Sequence, residues 1–321
     1  MMRPKLGLEP LCPACSGVNS QSIGKIPDNY HFCAQHFDVA INSGHLWECL
    51  ECGLWYRYPC LSPEQLIDMY SQQPESVWSG EKGARLDILE IDAWLKTYAQ
   101  SPRLICDIGC FNGDLLIYLR DHTYHDNDHI CKPQLFGVEP SKAAARYSHG
   151  RGIEIVGTTV VDLRRSDRRF DLVLLVDVFE HTQDTKELFR NCRSVMTSGG
   201  YLVVVTGAAD SGFNRFWKHN SYYIAMPEHV AFLTQKHANW LAQDSTMILK
   251  EFRLIRRNHM TDSAKLISLL RNLIFLALYS LPDGIQTNRM RIIERLRKLR
   301  GREVENWRNQ EDHVLAVFQV V

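Results

Sequence analysis

From residue 103 to residue 256, short runs of valine, isoleucine and leucine alternate with stretches whose apolar positions recur three and four apart. The first kind suits strands buried on both faces, and the second suits helices that turn one face to a core. The pattern predicts strands at about 103–107, 134–138, 153–156, 171–176 and 200–206, and helices at about 113–121, 141–148 and 184–197. Thr234 is placed to cap a helix over QKHANWLAQ, and strands near 248–256 and 313–320 bring the count to seven. Strands alternating with helices in this way form a parallel sheet covered on both faces. The expected architecture is α/β: a seven-stranded, mostly parallel, doubly wound sheet over 101–321, with a helical insertion at 257–312 before the last strand.

Upstream the pattern changes. Residues 63–100 predict a helix near Pro63 to Tyr70, a polar loop (SQQPESVWSGEKG) and an amphipathic stretch from Arg85 to Tyr98, together a helical linker. Residues 1–62 hold six of the ten cysteines: Cys12, Cys15, Cys33, Cys49, Cys52 and Cys60. That concentration marks a separate N-terminal module. C-P-A-C at 12–15 and C-L-E-C at 49–52 are two knuckles, each able to give two thiolates to a tetrahedral Zn²⁺. Cys12, Cys15, Cys49 and Cys52 would leave no open position on the metal, so the expected zinc is structural and organises a module too small for its own core. Free thiols or a degenerate ribbon are the alternatives; His31, Cys33, His36 and His45 read first as surface or packing residues and second as substitute ligands.

Charge narrows the partners. Lys+Arg and Asp+Glu both number 37, so the net charge is zero and there is no general attraction to nucleic acid, which is disfavoured as a partner. The start, MMRPKLGLEPLCPAC, carries no apolar run of the secretory kind, and Leu266 to Leu281 is interrupted by Arg271 and Asn272. That stretch also falls short of the roughly 20 residues of a spanning helix. A cytoplasmic location is expected. Within 264–302, RMRIIERLRKLRGR carries seven Lys/Arg against one Glu. This segment reads first as a lid or dimer face, and second as a peripheral contact with the inner face of an anionic membrane.

The chemistry centres on LICDIGCFNGDLLIYLR at 104–120. A turn through Gly109 and Gly113 after a strand lets backbone approach a ligand. A dinucleotide site needs G-x-G-x-x-G, whereas here Asp107 precedes the first glycine and Phe111 stands where a middle glycine would be. An acid at the strand tip disfavours pyrophosphate and favours an ammonium or sulfonium. In LFGVEPS, Glu139 ends the adjacent strand, where a carboxylate can accept both hydroxyls of a ribose. A ribose beside a cationic amino-acid group describes S-adenosylmethionine.

Over about 100–256 the chain resembles the Rossmann-like S-adenosylmethionine-dependent methyltransferases. DIGCFNG is similar to their first motif, FGVEPS to the second, and FDLVLLVDVFEHTQD with CRSVMTSGGYLVVVTG to the fourth strand, helix and fifth strand. The resemblance implies that Asp107, Gly109, Cys110 and Gly113 shape the methionine end, Glu139 holds the ribose, and Asp177, Glu180 and His181 lie beside the cofactor. Phe111 departs from the pattern, as does Thr158, where many members carry an acid for the adenine amino group; backbone groups of 158–160 are the expected substitute. ECGLWYRYPCLSPEQLIDMY resembles the zinc ribbon that precedes methyltransferase domains acting on sugars or cell-surface glycans, including deoxysugar C-methyltransferases.

After the fifth strand, GFNRFWKHNSYYIAMPEHVAFLT mixes aromatics with Asn, Lys and His, which suits the apolar faces and hydroxyls of a sugar. The sugar C-methyltransferases carry Y-H-E-H near here; this chain shares only Glu228 and His229, so their carbon-deprotonation chemistry is not carried over. An alcohol must lose a proton as it is methylated, and a histidine suits that task. His229 is the candidate base, Glu228 the group that orients it, and Tyr222, Tyr223 and His219 are in reserve; a loop that merely packs under the crevice is the bland alternative. The expectation is methyl transfer to a small-molecule or glycan acceptor at a sugar hydroxyl. RNA or protein methylation is the alternative enzyme, although VDVFEH lacks the N-P-P-Y type of segment used on amino groups, and an inactive cofactor-binding partner protein is the alternative non-enzyme.

Overall fold

The computed structural model describes residues 10–26, 29–32, 35–41, 44–71, 86–99, 102–124, 132–164, 167–257, 263, 266, 270 and 311–321. The N-terminal strands are β1 (Ser20–Lys25), β2 (Asn29–Phe32), β3 (Gln35–Ile41), β4 (His45–Cys49) and β5 (Trp55–Tyr58), followed by helices α1 (Pro63–Ser71) and α2 (Leu86–Tyr98). Then come β6 (Leu104–Ile108), α3 (Asp114–Tyr118), β7 (Gln134–Val138), α4 (Lys142–Gly150), β8 (Glu154–Gly157), α5 (Val160–Leu163), β9 (Phe170–Val176), α6 (Thr185–Ser194) and β10 (Met196–Gly207). The chain continues through α7 (Gly212–Trp217), α8 (Tyr222–Ala225), β11 (Ala231–Phe232), α9 (Gln235–Asp244), β12 (Met247–Ile255) and β13 (His313–Val320).

The predicted seven-stranded sheet is present, in the order β12-β13-β10-β9-β6-β7-β8. From β10 to β8 every pairing is parallel, and β13 runs antiparallel to both β10 and β12. Alternate side chains enter opposite cores, as the pleat requires. On β9, Leu172 and Leu174 join one cluster and Val173 and Leu175 the other; on β10, Val203 and Val205 oppose Leu202 and Val204. One face is covered by Ile91, Trp94 and Leu95 of α2 and Leu115 and Leu116 of α3. The segment read as linker thus supplies part of the domain's own covering layer. The other face is covered by Leu188, Phe189 and Cys192 of α6 and Ala238, Leu241 and Ala242 of α9.

Strand order reverses beside β6, which places a crevice outside the carboxyl ends of β6 and its neighbours. Asp107, Asp177 and Gly207 all lie at this end, and so does His313, which pairs with Gly207 where β13 begins.

The N-terminal region is joined to this domain by main-chain pairing. Its sheet has the order β1-β4-β5-β11, and β11 comes from the segment just after His229. Ala231 pairs with Tyr56 and Phe232 with Trp55. Cys12, Cys49, Cys52, Leu54 and Tyr56 belong to the same buried cluster as α6 and α9. No helix among the described residues is long and apolar enough to cross a membrane. The helical insertion expected at 257–312, with the basic segment inside 264–302, falls outside the described residues except at isolated positions.

Candidate active site and cysteine cluster

The glycine turn is built as its sequence requires. Asp107, one residue from the end of β6, is buried. The N–H groups of Gly109 and Cys110 both donate to the carbonyl of Val138, at 2.8 and 3.1 Å, tying the turn to the end of β7. Gly109 and Gly113 each have φ 77°, and a Cβ on Gly109 would lie 2.6 Å from Val178 Cγ2. Phe111 adopts φ 47°, the left-handed conformation a middle glycine takes readily, at a cost of about 1–2 kcal/mol for a side-chain-bearing residue.

Glu139 compensates for that strain. Its Oε2 accepts the N–H of Phe111 at 2.8 Å and its Oε1 accepts that of Ser141 at 2.7 Å. Ser148 Oγ donates to the Phe111 carbonyl at 2.6 Å. Burial raises the Glu139 pKa, and the two backbone N–H groups counteract part of the rise. A buried acid at one strand tip, a tight glycine turn after it and a second buried acid just beyond the next strand together fit the cationic and ribose ends of S-adenosylmethionine. At the adenine end two of the backbone donors expected at 158–160 are engaged within the chain: Thr158 and Thr159 donate their N–H groups to Asp162 Oδ2 at 2.9 and 3.0 Å. These bonds, that of Thr158 foremost, lower the pKa of Asp162. Asp162 is the acid in this region, four residues beyond the position where the motif places it.

The end of β9 gathers the second set. Asp177 has φ 56°, donates its N–H to the Val205 carbonyl at 3.0 Å and lies 2.9 Å from Arg257. A single 3₁₀ turn over Phe179–His181 then presents Glu180 and His181. Glu180 is buried and accepts hydrogen bonds from Tyr223 at 2.7 Å and Thr206 at 2.8 Å. Gly207 donates its N–H to the Tyr223 hydroxyl at 2.9 Å. Burial, with Glu180 beside it, raises the Tyr223 pKa well above the usual phenol range.

Two histidines meet here, and their tautomers follow from their partners. His181 Nδ1 lies 3.1 Å from the Glu228 carbonyl and His229 Nδ1 lies 2.7 Å from the Tyr223 carbonyl. A carbonyl only accepts, so each Nδ1 carries a proton. The rings are 5.0 Å apart. Burial, with His181 nearby, holds the His229 pKa well below the usual imidazole value, so the ring is neutral at neutral pH. Its orienting bond comes from the Tyr223 main chain, while Glu228 is a buried neighbour. Of the reserve candidates, Tyr223 is a bonded member of this cluster, the Tyr222 side chain is outside the described set, and His219 packs against β1 at Gly24.

The four knuckle cysteines converge. Cys12 and Cys52 Sγ are 3.6 Å apart, Cys15 and Cys49 Sγ are 3.5 Å apart, and all four sulfurs lie within 4.8 Å of one another. A tetrahedral Zn²⁺ with bonds of about 2.3 Å places its sulfurs about 3.8 Å apart, so the set fits zinc. The knuckle at 49–53 rests on α9: Thr234 Oγ1 donates to the Gly53 carbonyl at 2.8 Å, and His237 Nδ1 is 3.3 Å from that of Cys52.

Sequence reading missed Arg57, Tyr223 as a bonded partner of Glu180, and the buried pair of Asp312 and His313 at 2.8 Å. A lone arginine among aromatics, WYRYPC, was the visible signal for the first.

Comparison with known proteins agrees with this geometry. A family model described as a methyltransferase domain matches residues 85–245, half of the chain. Among curated relatives, a ubiquinone biosynthesis O-methyltransferase of Bradyrhizobium sp. (strain ORS 278) is 33% identical over 113 residues, covering 32% of this chain and 42% of that protein. Ajmaline N-methyltransferase of Rauvolfia serpentina is 29% identical over 112 residues, 33% of this chain and 37% of its own. The chain thus spans less than half the length of these relatives. The crystal structure of the plantazolicin methyltransferase BamL, in complex with a triazolic desmethylPZN analogue and SAH, shares the fold with a TM-score of 0.50, at 12% identity over 79% of this chain and 94% of that one. The extent of the family match, over a sheet and glycine turn of the matching kind, establishes that the chain belongs to the methyltransferase-domain family.

Proposed function

We propose that the protein transfers a methyl group from S-adenosylmethionine to a hydroxyl oxygen of a small-molecule or glycan acceptor, with a sugar hydroxyl favoured. The carrying observation is the neutral, buried His229, whose ring lies 5.0 Å from that of His181 just beyond the carboxyl end of β9. Asp107 faces the ammonium and sulfonium end of the cofactor, the turn of Gly109, Cys110 and Gly113 gives backbone access to its methionine part, and Glu139 holds the ribose. Asp177 and His181 line the side toward the acceptor. The bound cofactor supplies a methyl group on a sulfonium that leaves readily as a thioether.

Displacement at that methyl carbon mainly needs alignment. The acceptor oxygen forms a bond to carbon, the carbon–sulfur pair goes to sulfur, and His229 Nε2 in the cation-free site takes the hydroxyl proton. The aromatics near β11 and the resemblance of the N-terminal ribbon to those of glycan-modifying enzymes support a sugar; the O-methyltransferases among the relatives support an oxygen acceptor. Zinc on Cys12, Cys15, Cys49 and Cys52 is structural in this reading. The test is transfer of isotopically labelled methyl from S-adenosylmethionine to a panel of nucleotide-linked sugars and glycans. Labelled product identifies the acceptor class, whereas labelling confined to RNA or protein included in the same panel would overturn it.

A further inference from the structure

We propose that Glu180, His181 and His229 form a divalent-cation site at the acceptor end of the crevice, separate from the four-cysteine cluster. One donor atom from each of the three lies within 4.8 Å of the others. Both imidazoles spend Nδ1–H on a main-chain carbonyl, Glu228 for His181 and Tyr223 for His229. Such outer bonds fix the tautomer and orientation of a metal-binding histidine.

Glu180 completes the set. It is 1% exposed, and the hydrogen bonds it accepts come from two neutral hydroxyls, those of Thr206 and Tyr223. A carboxylate buried on neutral donors keeps most of the cost of its charge, and a bound cation offsets it. Each of its oxygens retains a further lone pair for a ligand bond. The backbone reinforces the arrangement: the Val230 N–H, next to His229, donates to the Glu180 carbonyl at 2.7 Å.

Two imidazoles and one carboxylate, with no sulfur, suit a borderline or hard ion such as Mn²⁺, Fe²⁺ or Zn²⁺. Three protein ligands leave coordination positions open, the pattern of a site that acts on substrate. The purpose of the site rests on the methyl-transfer reading: the ion holds the acceptor oxygen and lowers its pKa, so the proton departs to solvent as the carbon–oxygen bond forms and the carbon–sulfur pair goes to sulfur. With the ion present His229 Nε2 is a ligand, and without it the same lone pair accepts the proton.

The test is a Mn²⁺ titration of the full-length, zinc-replete chain, followed by the electron paramagnetic resonance of free Mn²⁺, with parallel calorimetry of S-adenosylhomocysteine. Mn²⁺ disfavours thiolates, so the cysteine cluster does not contribute. Saturable binding of one ion per chain is expected, lost in His181→Ala and His229→Ala and weakened by about 10-fold in Thr206→Val, which removes only an outer partner of Glu180. The half-buried His181 is the variant that best preserves folding, and an unchanged far-ultraviolet circular dichroism spectrum and thermal midpoint in it confirm an intact domain. Absence of saturable Mn²⁺ binding, or binding unchanged in all three variants, overturns the site. Mn²⁺ binding in a chain that does not bind S-adenosylhomocysteine would instead retain the site and overturn the methyl-transfer reading.

Discussion

Arg57, on β5 of the N-terminal sheet, donates from Nε to the main-chain carbonyl of His229 at 2.9 Å. Its Nη2 reaches the carbonyls of Ile224 and Met226 at 2.5 and 2.6 Å, and its own N–H donates to Val230 at 2.9 Å. The guanidinium is buried, and burial lowers its pKa to about 10, still well above neutrality. One N-terminal side chain therefore fixes the loop that carries His229. Arg57→Met should leave three carbonyls without their charged donor and destabilise the fold on the order of 3 kcal/mol. Turnover should fall while S-adenosylhomocysteine affinity is retained; a denaturant midpoint and turnover both equal to wild type would remove Arg57 from this role.

The cysteine cluster rests on the start of α9, a few residues beyond the same loop, so losing its metal should reach the active site. Metal analysis should find one zinc per chain bound by thiolates. The double variant Cys12→Ser with Cys49→Ser should lose that zinc and have a lower thermal midpoint, with reduced turnover. Full metal retention in a folded double variant would refute the four-thiolate assignment.

Gly109→Ala tests the glycine turn. The added Cβ meets Val178 Cγ2 at 2.6 Å, and φ 77° penalises any side chain by about 1–2 kcal/mol. Cofactor affinity should drop markedly in a chain whose far-ultraviolet circular dichroism is unchanged. Wild-type affinity would show that the cofactor does not approach this turn.

Acidification should weaken cofactor binding through Glu139. Burial raises its pKa above that of an ordinary glutamate, so it takes up its proton earlier as pH falls. Protonation removes acceptor capacity from a group already receiving the Phe111 and Ser141 N–H groups. Affinity is thus fully present above the raised pKa and lost as pH falls through it. Calorimetry across the acidic range should show this loss in wild type and a flatter, weaker profile in Glu139→Gln; identical profiles would exclude Glu139 as the titrating contact.

His229→Gln should keep cofactor affinity and lower turnover by about 10²-fold. Turnover equal to wild type would exclude His229 as either base or cation ligand.

The central sheet was legible because buried parallel strands announce themselves locally: LICDI, LFGV and FDLVLLV are mostly apolar and end beside the residues that shape the site. The acids Asp107 and Glu139 could be placed by position alone, since a strand's carboxyl end faces the crevice. What was not legible depends on pairing between distant segments. β11 is two residues long and exists because β5 offers it a partner, some 175 residues earlier in the chain. Arg57, likewise, gains its meaning only from carbonyls at 224, 226 and 229. Backbone groups of 158–160 were the expected substitute at the adenine end, yet the Thr158 and Thr159 N–H groups are bonded to Asp162, which also closes the capping box with Thr159 at the start of α5. Helix α2 looked like a connector in isolation; Ile91, Trp94 and Leu95 become a covering layer only once the sheet is in place.

The most direct test of the account is a calorimetric titration of the full-length chain with S-adenosylhomocysteine, in wild type and Asp107→Ala. Asp107 is the buried acid on which the cofactor assignment turns. Micromolar binding in wild type that disappears in the variant is the predicted result; absent binding in wild type, or equal binding in both, would contradict it.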